Sequence, residues 1–144
     1  MIKKVIILLF CLAIAIVIAI ICWQLRPFSS IIKVSDVDKM EISNFIGDIS
    51  FTTSNKNIIE AIGSRINGLT FKRSKFVYQS VPDIIISVYS EIGNNLCDFH
   101  LYKISSTEYY CRYESNGRHS YFYLIDGEDL FNLAKSYMPD RPSN

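Results

Sequence analysis

Motifs that announce chemistry are scarce in this 144-residue chain. It has two histidines, six glycines, four prolines and one tryptophan. His100 and His119, even with Asp98 nearby in sequence, lack the spacing of a metal motif, so no metal centre is implied. There is no CxxC pair, Gly-rich phosphate loop, Ser-His-Asp or Cys-His order, or paired-carboxylate motif. Catalysis therefore has no local support and no cofactor is implied. An excess of one charge is missing too. Fifteen Lys and Arg stand against fourteen Asp and Glu, a net charge of +1, and the signs are interspersed. That excludes the basic footprint of a nucleic-acid binder. Alanine and glycine are few beside abundant Ile, Asn, Ser and Tyr, which favours strands over helices. No internal repeat or low-complexity tract is present.

What the sequence does hold is one long apolar run, residues 5–23, beginning at Val5 and closing on Trp23, with no charged, amide or hydroxyl side chain. As a helix it would extend about 28 Å, close to the hydrocarbon thickness of a bilayer. The reading is a retained single-pass transmembrane signal-anchor rather than a cleaved signal, whose apolar region is shorter and ends in small-x-small residues. Cys22 as a lipoprotein acylation site would want a small residue where Ile21 stands. Lys3 and Lys4 crowd the amino end, so the positive-inside rule puts the N-terminus in the cytoplasm. The rest would then lie outside a cell membrane, with residues 5–23 in contact with the lipid bilayer.

The division expected along the chain is an anchor over 1–26, a juxtamembrane linker over 27–39, one domain over 40–138 and a flexible tail over 139–144. Strands are predicted from Met40 to Ile46 and from Asp48 to Thr53, paired as a hairpin around Gly47-Asp48. Ile58, Ile59, Ile62 and Ile66 then fall at helical spacing, with Ser54 or Asn55 as cap and Gly68 after the last turn. Lys72, Arg73 and Lys75 interleaved with Phe71, Phe76 and Tyr78 read as a solvated edge strand or loop, in preference to an anionic-ligand patch. Four strands follow as a meander between 83 and 125, the last two joined at Asn116-Gly117. Asp126 is expected to cap a closing helix carrying Leu130, Leu133, Ala134 and Tyr137 on one face, ended by Pro139. The order ββ-α-ββββ-α predicts an α+β domain, an antiparallel sheet with two helices on one face.

If Asn116-Gly117 is a two-residue turn, Glu114 faces His119, Arg112 faces Tyr121, Tyr110 faces Tyr123, Cys111 faces Phe122 and Tyr109 faces Leu124. Side-chain alternation then separates an apolar set (Ile84, Ile86, Val88, Cys97, Phe99, Leu101, Cys111, Phe122, Leu124) from a polar one. The polar face is a candidate contact surface built on Tyr89, His100, Tyr102, Tyr110, Arg112, His119, Tyr121 and Tyr123. Flat amphipathic rings beside charged groups suit a protein, peptide or glycan partner. Strand propensity, or burial beneath the first hairpin, would account for the same tyrosines. Cys97 and Cys111 share the apolar face of adjacent strands and are a possible disulfide, with two buried free thiols the alternative.

An apolar helix ahead of an α/β head resembles the layout of type IV pilins. Their motif places Gly before the run and Glu five residues after it, whereas here Lys4 precedes Val5 and the first Glu is Glu41, so that resemblance fails. The layout also resembles small anchored extracytoplasmic bacterial domains, without a diagnostic motif. The functional expectation is a membrane-anchored binding or interaction domain. The alternative is an anchored immunity or inhibitor protein against a toxin or enzyme, and an enzyme subunit is the least favoured.

Overall fold

The computed structural model describes residues 2–27, 31–45, 48–74 and 81–139, and within the first helix the side chains of residues 6–21. Helix α1 (Ile2–Gln24) runs into a short strand β1 (Leu25–Pro27). A single 3-10 turn, Val34–Asp36, precedes β2 (Lys39–Ser43), β3 (Ser50–Thr53), α2 (Lys56–Asn67) and β4 (Thr70–Ser74). Then come β5 (Ile84–Tyr89), β6 (Asn95–Lys103), β7 (Tyr109–Ser115), β8 (Arg118–Leu124) and α3 (Gly127–Tyr137).

The β7–β8 turn fixes which face each side chain of this hairpin occupies. Asn116 and Gly117 take φ of 52° and 71°, the left-handed pair a type I′ turn requires and that only Gly, Asn or Asp adopt easily. Glu114 therefore lies opposite His119, Arg112 opposite Tyr121 and Tyr110 opposite Tyr123, with Cys111 opposite Phe122 and Tyr109 opposite Leu124, as the turn chemistry predicted. The sheet order is β1-β4-β8-β7-β6-β5-β2-β3, antiparallel throughout. Seven strands belong to the domain and β1 adds three residues at one edge.

Alternation along these strands builds the core on one face. Ile84, Ile86, Val88, Phe99, Leu101, Cys111 and Leu124 are buried together with Ile59, Ile62 and Ile66 of α2 and Leu130, Phe131 and Ala134 of α3. Each fully buried Ile or Leu contributes about 1.5–3 kcal/mol relative to an exposed one. Both helices thus cover one face, as expected. Asn55 caps α2, its side chain accepting from the Asn57 N–H at 3.0 Å. Asp126 does not cap α3: its backbone sits at φ −106°, ψ 34° and its side chain makes no capping bond. Glu128 and Asp129 supply the negative charge in the first turn, and Asp129 pairs with Arg65 of α2.

Segment 31–37, expected as mere linker, is a strap across α2. Ile32 and Val37 are buried, Asn67 binds the Ile32 backbone, and Lys56 Nζ donates to the Val37 carbonyl at 2.8 Å. Val34 lies so close to Gly63 that a Cβ there would meet its Cγ2 at 2.8 Å. The stretch after α2 also differs from expectation. It forms β4 between β1 and β8, with Phe71 paired to Leu124 on the core face and Lys72 to Tyr123 on the other. Lys75, Phe76 and Tyr78 lie outside the described residues, as do Ile46 and Gly47 of the first hairpin, the linker residues 28–30 and the tail from 140 onward.

The expected membrane crossing is corrected. Among the described residues no helix is long and apolar enough to cross a membrane. The single-pass signal-anchor, the bilayer contact through residues 5–23, and the placement of the domain outside a cell membrane are withdrawn with it. What the structure gives is a helix whose side chains from Ile6 to Ile21 are exposed.

Candidate functional site

The face of the sheet opposite the helices carries the candidate residues, and the strand register sorts them into rows. One row reads Lys72, Tyr123, Tyr110, Tyr102 across β4, β8, β7 and β6. The next reads Ser74, Tyr121, Arg112, His100, Ile85, Ser43 from β4 to β2. A third reads His119, Glu114, Asp98, Ser87, Glu41 from β8 to β2. The first hairpin does not lie over this face. Its strand β2 pairs with β5 as a continuation of the sheet, which leaves β6, β7 and β8 uncovered by it.

Arg112 stands at the centre. Its Nη2 meets Glu114 Oε2 at 2.6 Å, with both side chains about one-third exposed. Its Nε is buried and has no hydrogen-bond partner among the described residues. Tyr102 beside it is buried, and burial holds its phenol above the ordinary value while Arg112 pulls the other way. His100 is half-buried, and burial followed by the Arg112 charge holds its imidazole below the ordinary value of 6.5, Asp98 and Glu114 opposing. Tyr110 packs edge-on against Tyr123 at 5.3 Å and His119 against Tyr121 at 5.6 Å. Tyr110, Tyr121 and Tyr123 are half-buried and His119 is exposed.

Seven of the eight candidate residues therefore share one neighbourhood. Tyr89 does not join it: it lies beyond the third row, opposite Lys39, whose Nζ sits over its ring at 4.4 Å. His100 and His119 do not converge. They lie on β6 and β8 with β7 between and one row apart, about 12 Å at standard strand geometry, too far to share a proton directly. Among the described residues no group of three or more His, Cys, Asp or Glu is placed to hold a metal ion.

Cys97 and Cys111 are free thiols. The β6–β7 register pairs Cys111 with Leu101, four residues from Cys97, or about 13 Å along the strand, where a disulfide cannot form. Burial pushes the Cys97 thiol up to about 12 and raises that of Cys111 further, so neither is poised as a nucleophile. Two clefts among the described residues lie away from this face. A cleft of about 300 Å³ runs between the strap and Cys97 and Tyr113, and one of about 550 Å³ between the strap and the β5–β6 turn at Ile92. Sequence reading missed both, since it took the strap for linker.

The fold and this face define an α+β domain with one sheet face sealed by helices and the other tyrosine-rich, internally paired and, among the described residues, partly exposed, with Tyr102 buried within it. No family model, curated protein or solved structure matches the chain, and no enzyme family is thereby identified.

Proposed function

We propose that the chain is a binding module whose open sheet face contacts a partner protein. The observation that carries this reading is the clustering of Tyr110, Tyr121, Tyr123, His100, His119 and Arg112 in adjoining rows, around a buried Tyr102, while the opposite face is closed. Tyr and Arg supply a disproportionate share of interface energy, because they bury large area at low entropic cost and still make hydrogen bonds. Small-molecule sites are concave. The described part of this surface is a sheet face, which favours a macromolecule. A protein is preferred to a glycan because Arg112 and Glu114 present a paired charge that a complementary protein surface desolvates and re-pairs.

The test is a photo-crosslinking residue placed at Tyr121 in the full chain, with the same residue at Glu60 on exposed α2 as control. The partner captured at Tyr121 alone, once identified, is measured for affinity against the unaltered chain. The reading predicts a protein crosslinked at Tyr121 that binds in isolation. Equal capture at both positions, or binding to a glycan and no protein, contradicts it.

A further inference from the structure

The two edges of the sheet are protected unequally. At one edge β1 carries Arg26 and Pro27, and proline has no N–H to offer a new strand. At the other, β3 is Ser50-Phe51-Thr52-Thr53 with no charge, proline or glycine, and Ser50 and Thr52 are exposed. The backbone groups of this edge can be assigned. Asn44 donates its N–H to the Ile49 carbonyl at 3.1 Å, so by antiparallel alternation Phe51 and Thr53 also bond toward β2. Ser50 and Thr52 then point both N–H and C=O groups out of the sheet.

We propose that this edge pairs with the β3 strand of a second copy of the chain, antiparallel about a twofold axis at Phe51. In that register Ser50 of each copy faces Thr52 of the other, and four backbone hydrogen bonds form from groups that have no partner among the described residues. Phe51 meets its symmetry mate as the close, non-hydrogen-bonded pair at the axis, with Cα atoms about 4.5 Å apart. Its ring lies on the core face at the rim, stacked on Tyr137 at 5.5 Å, and both are half-buried. Pairing covers the exposed part of both stacks at once. No like charges face each other within the strand, so no charge repulsion there opposes self-pairing, and each outward donor finds an acceptor at the matching position. That self-complementarity favours a second copy over an unrelated extended peptide.

The contact is four residues long, below the roughly 1,000 Å² of a stable interface, so the dimer is weak and concentration-dependent. It is independent of the proposed tyrosine face, which lies toward the opposite end of the sheet. It would set two such faces on the same side of one continuous sheet.

The experiment is hydrogen exchange at the Ser50 and Thr52 amides of the full chain over about a hundredfold range of concentration, with sedimentation in parallel. The expected result is exchange slowed roughly tenfold or more at the high end, together with a shift toward dimer mass. In Thr52→Pro, which deletes an outward N–H and no backbone bond to β2, the concentration dependence at Ser50 disappears. Exchange at both amides that is independent of concentration overturns the proposal, even if the chain associates elsewhere, for instance through α1. Protection that survives in a folded Thr52→Pro chain, or appears only on adding another protein, overturns it as well. Should the variant not fold, the wild-type exchange decides alone.

Discussion

The carboxamide of Asn67, the last residue of α2, holds the backbone of Ile32 from both sides: Oδ1 accepts from the Ile32 N–H at 3.1 Å, and Nδ2 donates to the Ile32 carbonyl at 2.8 Å. One side chain thus acts as a strand partner for the strap, whose Ile32 is 4% exposed. Asn67→Ala leaves both backbone groups unpaired in a water-poor site. We predict a loss of about 1–3 kcal/mol, read as a lower urea midpoint at unchanged slope. An unchanged midpoint would show that the strap does not contribute to stability.

Gly127 is required for a different reason. A Cβ on it would lie 2.4 Å from the Tyr109 Cβ and 2.8 Å from the Leu124 Cβ, atoms fixed in adjacent core strands. Gly127→Ala should lower stability by about 2 kcal/mol or more, because α3 must lift from the sheet. Gly93 makes the comparison. Its φ is +79° with nothing within 4 Å of a new Cβ, so Gly93→Ala meets backbone strain alone, about 1 kcal/mol. The two melting curves distinguish crowding from strain, and equal losses would contradict the packing described.

Sequence reading reached some of this fold and not the rest for identifiable reasons. The Asn116-Gly117 pair fixes a turn geometry locally, so the facing of Arg112 on Tyr121 and Tyr110 on Tyr123 followed without tertiary information. Strand β4 was harder. Its partner β8 lies some fifty residues on in sequence, and Lys72 and Arg73 break the alternation that marked the other strands, since only Phe71 reaches the core. The strap was hidden because its order comes from Asn67 and Lys56, distant side chains, and not from its own pattern. The apolar run through α1 is legible as helix, but the bilayer crossing read from it is not supported, since no helix among the described residues is long and apolar enough to cross a membrane. The clustering of His100 with Arg112 was readable only up to the β6–β7 register, which the Ser105-Ser106-Thr107 turn leaves open in sequence.

Acid should weaken the fold through His100. Burial, reinforced by Arg112, holds its folded-state value below 6.5, so the unfolded chain takes up the proton first. Its stabilising contribution is complete above pH 6.5 and is lost as pH falls from there through the lower folded value. Denaturation midpoints between pH 7 and pH 5 should fall, and His100→Gln should flatten that part of the curve. A slope unaffected by the substitution would assign the acid sensitivity to other groups.

Thiol labelling provides an independent check of the core. Cys11 is exposed, whereas Cys97 and Cys111 are buried, with Cys97 pushed up to about 12. At pH 8 an alkylating reagent should modify Cys11 readily and reach Cys97 and Cys111 only after denaturant is added. Rapid labelling of Cys97 in the native chain would mean that the cleft beside the strap admits reagent to the core.

The most direct measurement of the central claim compares the unaltered chain with Tyr110→Ala/Tyr121→Ala for affinity toward the protein captured at Tyr121, with unfolding followed in parallel. Removing two half-buried rings from an open face should weaken binding by about tenfold or more, at roughly 1.4 kcal/mol per tenfold, and shift stability only by about what surface cross-strand pairs contribute, on the order of 1 kcal/mol each. Undiminished affinity in a folded variant, or collapse of the fold on losing these rings, would contradict a contact role for this face.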